Sequence, residues 1–166
     1  MAAGPTYEPI ATTTLGTAQP TVTFSSIAST YTDLVIVAQL TTAAPTNMRI
    51  RFNGDTTANY SNTTVTGNGS TATSVRETGN TAALLDWNAY PTSTTIATLI
   101  INIMNYANTT TYKTFINRAN NASGGTEANV GLWRSTSAIN EVQIRTSSGG
   151  NIAIGSTFTL YGITAA

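Results

Sequence analysis

The chain contains no cysteine and no histidine. Without cysteine there can be no disulfide, no thiolate metal site and no thiol nucleophile. Without histidine the commonest general base and metal ligand is missing. Charge is scarce as well: 8% of the 166 residues are charged, against roughly 25% in an average globular domain. Lys+Arg 7 balances Asp+Glu 7, so there is no basic field to hold nucleic acid or an anionic membrane. Long apolar runs are also lacking. The longest, residues 96–104, is interrupted by Thr98 and Asn102 and is too short to span a bilayer as a helix. The first nine residues show neither the basic start nor the apolar segment of a secretory leader, and none is expected.

In place of charge there are 35 Thr and 16 Asn. Thr is β-branched and suits a pleated, half-buried surface. Hydrophobic residues make up 40% of the chain and fall in ordered runs, which excludes a disordered polar tract. The length is that of one domain. A surface so poor in charge resists association weakly, which points to a protein that works assembled.

The pattern along the chain is strand, turn, strand. In Asn47–Asn53, Met48, Ile50 and Phe52 share one face, and Arg49 and Arg51 the other. The run Leu34-Val35-Ile36-Val37 suits a strand covered on both faces. Asn53-Gly54-Asp55 reads as a turn. Further strands are expected in 21–27, 95–106, 110–117, 126–135, 139–145 and 152–163. Residues 54–80, rich in Thr, Asn, Gly and Ser, read as one long irregular loop. About nine strands and no convincing helix predict an all-β fold, an antiparallel two-sheet sandwich of jelly-roll-like form.

Residues 1–20 are expected to be an extended N-terminal arm, with 21–166 the sandwich domain. Pro5, Pro9 and Pro20 disfavour regular pairing in the arm, which leaves room for one short strand over residues 10–15, while Tyr7, Ile10 and Leu15 are apolar enough to be tied to something.

Catalytic constellations are absent at this level. The seven carboxylates, Glu8, Asp33, Asp55, Glu77, Asp86, Glu127 and Glu141, fall in no local motif. A Ser or Thr nucleophile would need a base, and Lys113 is the one amine side chain. No phosphate-binding glycine loop occurs. Asn53-Gly54-Asp55 supplies at most part of a calcium site, and a plain turn is the better reading. No catalytic residue, cofactor or metal is assigned. Trp87 and Trp133 could stack on a sugar, but their apolar neighbours favour core or interface packing. Arg49 and Arg51 are candidates for pairing with Glu77 or Glu127, or for contact with a partner, since Arg is favoured in interfaces.

Several phrases carry a resemblance. They are Val22-Thr-Phe-Ser-Ser-Ile-Ala-Ser-Thr-Tyr-Thr-Asp-Leu34, Arg51-Phe-Asn-Gly-Asp-Thr-Thr-Ala-Asn-Tyr-Ser61, Gly67-Asn-Gly-Ser70, Leu132-Trp-Arg-Ser-Thr-Ser-Ala-Ile139 and Gly155-Ser-Thr-Phe-Thr-Leu-Tyr-Gly-Ile163. Together they resemble a family of small virion proteins of tailed phages, common in phages of cyanobacteria and marine bacteria. The resemblance covers most of 21–163 and leaves the arm outside. It implies a β-sandwich used as a structural part, either a capsid decoration (cement) protein or a module of a tail fibre, and it carries over no catalytic residue. Without coiled-coil heptads or a stalk, decoration is the favoured expectation. The partners implied are the major capsid protein and further copies of the chain, in a closed ring such as a homotrimer; neither nucleic acid nor membrane is expected. On this reading Pro5, Tyr7, Pro9, Ile10 and Leu15 of the arm are the candidate capsid contacts. The alternative is a receptor-binding module that recognises host-surface glycan through 54–80 and an exposed ring.

Overall fold

The computed structural model describes residues 6–164. Its elements are β1 (Tyr7–Thr14), β2 (Thr21–Phe24), β3 (Asp33–Leu40), β4 (Met48–Phe52), β5 (Tyr60–Gly67), β6 (Ala72–Asn80), β7 (Ala83–Leu84), β8 (Ala97–Met104), β9 (Lys113–Asn121), β10 (Gly125–Trp133), β11 (Val142–Thr146) and β12 (Thr157–Ile163). Among the described residues there is no helix. Two antiparallel sheets form a sandwich, as the periodicity predicts. The larger has eight strands in the order β1-β12-β3-β8-β9-β10-β5-β6, the smaller four in the order β2-β11-β4-β7. Each strand of the smaller sheet is followed in the chain by a strand of the larger one, so the chain crosses repeatedly between the two sheets.

The space between the sheets is filled in two different ways. On β3, β8 and β12 the inward residues are apolar and buried: Leu34, Ile36, Leu99, Ile101, Phe158 and Leu160 among them. They form one cluster with Val22, Phe24, Ile50, Val142 and Ile144 of the smaller sheet. Beside it Phe52, Tyr60, Phe115 and Trp133 make a linked aromatic group, with ring centroids 5.6–6.3 Å apart. Such pairs add about 0.5–1.5 kcal/mol each beyond the area they bury.

On β5, β9 and β10 many of the inward positions are polar. Asn62, Asn117, Asn121, Glu127 and Asn129 are all buried, and their partners are backbone groups of the segment 84–90. Asn62 Oδ1 accepts from Leu84 N (3.1 Å) and Asn129 Nδ2 donates to Leu84 O (2.6 Å). Asn117 Nδ2 donates to Leu85 O, and Asn121 Nδ2 to Tyr90 O (2.5 Å). Glu127 accepts from the amides of Trp87 (2.6 Å), Asn88 (2.5 Å) and Ala89 (3.2 Å), and from Thr66 Oγ1 (2.8 Å). An irregular segment buried against a sheet must have its backbone groups satisfied. This row of side chains does that.

The same row overturns one expectation. Residues 54–80 are not a long loop; they contain β5 and β6, a hairpin paired over its whole length with one bulge near Tyr60. Hydrophobic periodicity misses it because, apart from Tyr60, the buried positions of β5 are Asn62, Thr64 and Thr66 rather than aliphatic residues. The turn Asn53-Gly54 forms as read: both residues have positive φ (51° and 64°), and Asp55 N–H bonds Phe52 O at 2.9 Å.

The N-terminal segment is the second correction. Tyr7–Thr14 does not reach away from the domain. It is β1, an edge strand paired with β12 from Tyr7↔Ile163 to Thr14↔Thr157. Pro9 is accommodated because the strand is at the edge and its register shifts between Pro9 and Ala11. Leu15 follows and is buried in the core at 4% exposure. The boundary drawn at residue 20 therefore falls inside the sandwich.

Candidate functional site

The smaller sheet covers only one face of the larger one. On the other face, the alternate residues of β8, β9, β10 and β5 point outward. Across the strands they run in register: Val37, Ile100, Arg118, Ala128 and Val65 in one row, and Val35, Asn102, Ile116, Val130 and Thr63 in the next. Val65, Met104, Ile116 and Val130 are exposed by 38–56%. Thr98, Thr114 and Thr126 stand between them. No carboxylate lies on this face of the four strands; its charges are Arg118 and, on β6, Arg76. Rows of β-branched residues arise because strand alternation puts every second residue on one face, and here that face carries Val, Ile and Thr.

A shallow groove of about 500 Å³ runs along this face, lined by Val65, Ala72, Thr98, Ile100, Arg118 and Ala128 among others. A depression of about 250 Å³ adjoins it around Thr63, Arg76, Val130 and Leu132. No aromatic ring lines either one. The chemistry offered is broad apolar and hydroxyl contact with two cations, suited to a flat protein surface rather than to a reacting group.

Several of the remaining titratable groups are committed to the fold. Asp33 accepts from Asn105 N at 2.6 Å. Asp55 accepts from Thr57, Asn59 and the Trp133 indole N–H (2.7 Å). Burial pushes its carboxyl up, but hydrogen bonds from Thr57, Trp133 and Asn59 outweigh this and hold it well below the usual range. Asp86 is fully buried and accepts from Met48 N and Asn47 Nδ2 at 3.1 and 3.2 Å. Burial pushes its carboxyl up to about 8, against the opposing effect of those hydrogen bonds. Glu141 accepts from Gln143. The Lys113 ammonium donates to Thr111 O and Thr136 O. Among the described residues no group of three or more acidic side chains is arranged to hold a metal ion.

The residues singled out from sequence are scattered. Pro5 lies outside the described residues. Tyr7 is exposed on β1, edge-on to Tyr161 with ring centroids 6.1 Å apart. Pro9 is exposed beside it, and Ile10 is half-buried against the core. Leu15 is inside and cannot meet a partner. Arg49 forms a two-pronged ion pair with Glu77 (2.9 and 3.2 Å), one of the pairings expected for it. Arg51 donates to Thr81 O at 3.1 Å. Of the two tryptophans, Trp133 is core and Trp87 is 41% exposed, on the segment that Glu127 holds. Sequence reasoning missed the outward face of the larger sheet. Its signal lies in Ile100, Ile116 and Val130, but only strand register decides which way those residues point.

Comparison with protein-family models and with curated proteins finds no match to this chain.

Proposed function

We propose that the chain is a structural protein of a tailed-phage virion: a capsid decoration (cement) protein that docks on the head exterior at junctions of major capsid subunits. The observation that supports this most is the outward face of the larger sheet. It is wide and open, carries no carboxylate on β5, β8, β9 and β10, and is studded with exposed Val, Ile and Thr. Five strands spaced at about 4.8 Å and some eight residues long offer roughly 650 Å² in projection. That approaches the ~800 Å² each partner gives to a standard interface. A protein that binds only the assembled shell stabilises it by mass action, and many copies per shell add through multivalency. The near-neutral surface favours contacts among copies as well, and a closed ring such as a trimer satisfies them without leaving a sticky end.

One observation favours a second reading, a tail module that recognises glycan: Trp87 is exposed at a loop. The groove on the larger sheet nonetheless has no ring for a sugar to stack on, so the decoration reading stands first.

The test is electron microscopy of virions with this protein labelled. Label spread over the icosahedral head supports decoration; label confined to tail fibres overturns it. An Ile116→Asp, Val130→Asp double variant, on a face that packs against nothing in the monomer, should fold normally and lose head association.

A further inference from the structure

Three of the seven cationic side chains gather on the outer face of the smaller sheet. Arg49 of β4 and Arg145 of β11 are direct cross-strand partners, and Arg51 is the next outward residue on β4, opposite Gln143. Like charges placed directly opposite each other destabilise a sheet. In a chain with so few charges, chance placement is a poor account of this arrangement.

The three guanidinium groups are not equivalent. Arg49 has Glu77 and Ala82 O as acceptors, and Arg51 has Thr81 O. Arg145 is half-buried, and among the described residues nothing accepts a hydrogen bond from its guanidinium. Burial of Arg51 itself, and after it the charge of Arg145, pull the Arg51 guanidinium below its ordinary value. Beside Arg145 opens a cleft of about 190 Å³ whose walls include Arg49, Asn80, Thr81 and Ser147. The acidic group at this cleft is Glu77, already paired to Arg49; Asp55 acts on Arg51 from farther off. Two arginines, Arg49 and Arg145, line the cleft against the one carboxylate paired to Arg49, which leaves it positive.

We propose that this cleft receives a carboxylate of an acidic segment on a protein partner, and that Arg145 is the residue that takes it. A guanidinium fork matches a carboxylate in shape and charge. A nucleic acid is a poorer fit, because tight phosphate-backbone binding draws on many cations along a tract, and here one is uncommitted. The proposal deepens the decoration reading and rests on it for the partner's identity: with the larger sheet turned to the shell, the acidic segment belongs to the virion protein that meets the opposite, smaller-sheet face.

The experiment is an NMR titration of the full chain, at low ionic strength, with a synthetic tetraglutamate peptide and separately with inorganic phosphate. Saturable shifts of the Asn80, Arg145 and Ser147 amides with the peptide are expected, weakened about tenfold or more by Arg145→Gln, since an ionised pair is lost. A thermal melt of that variant checks that the fold is kept. No saturable shift with the peptide overturns the proposal, as does equal binding by the variant. Phosphate moving these resonances while the peptide does not overturns the acidic-segment assignment. Failure here leaves the labelling result on virions untouched, because that rests on the other sheet.

Discussion

The Phe115 ring of β9 covers Gly131, its cross-strand partner on β10, so closely that a Cβ on Gly131 would lie 2.0 Å from the ring. Phe115 is fully buried and packs edge-on to Phe52 of the opposite sheet at 5.9 Å. A glycine in mid-strand usually weakens a sheet. Here it makes the room that lets an aromatic ring join the two sheets.

Gly131→Ala should therefore destabilise the protein by about 1–3 kcal/mol, the usual cost of overpacking a well-filled core. The denaturation midpoint reports it. A midpoint equal to that of the parent chain would show that the ring moves aside freely.

Glu127 should behave as a clamp on the segment 84–90. Replacing it with Ala leaves the amides of Trp87, Asn88 and Ala89 without their acceptor, and hydrogen bonds to a charged group are worth about 1.5–3 kcal/mol each when broken in a buried site. The loss should exceed that of any one bond. Trp87 lies on the segment, so its fluorescence should become more accessible to a neutral quencher while buried Trp133 stays protected.

Asp86 should set a pH dependence. In the unfolded chain its carboxyl ionises near 3.8; in the folded chain it keeps its proton up to about 8, because burial penalises the charge. Above 3.8 the folded state holds more protons than the unfolded one, so this group's contribution is full below about pH 4 and is lost as pH rises toward 8. Asp86→Asn removes the titration and should flatten the profile, with the variant gaining on the parent chain as pH increases. Urea midpoints measured across pH 4–8 check this. Parallel profiles would show that Asp86 does not titrate in that window.

The N-terminal strand yields a paired prediction. Leu15→Ala should cost about 2–5 kcal/mol, as for other buried aliphatic truncations. Tyr7→Ala, at an exposed edge, should leave the melting temperature nearly unchanged. Removing residues 1–20 should lower stability as well as any binding, because it takes away β1 and Leu15 together. A deletion that melts like the full chain would restore the picture of a detachable arm.

Sequence by itself determined the all-β class, the two-sheet antiparallel arrangement and the turn at Asn53-Gly54. These follow from local physics: β-branched residues, alternation, and a pair of residues tolerant of positive φ. The same alternation separated Arg49 and Arg51 from the buried Met48, Ile50 and Phe52. Tertiary structure alone decided the rest. Whether Ile116 and Val130 face the core or the outside depends on which face of the larger sheet the smaller one covers, and period-two patterning is blind to that choice. Asn62 read as a loop residue, and Asn117 and Asn129 gave no sign of a buried role within their expected strands, because their partners, the backbone groups of 84 and 85, lie between 22 and 45 residues away. Arg145 became a candidate only when β11 paired with β4 and brought it opposite Arg49. In each case the deciding interaction is long-range, and no local window of the chain contains both of its ends.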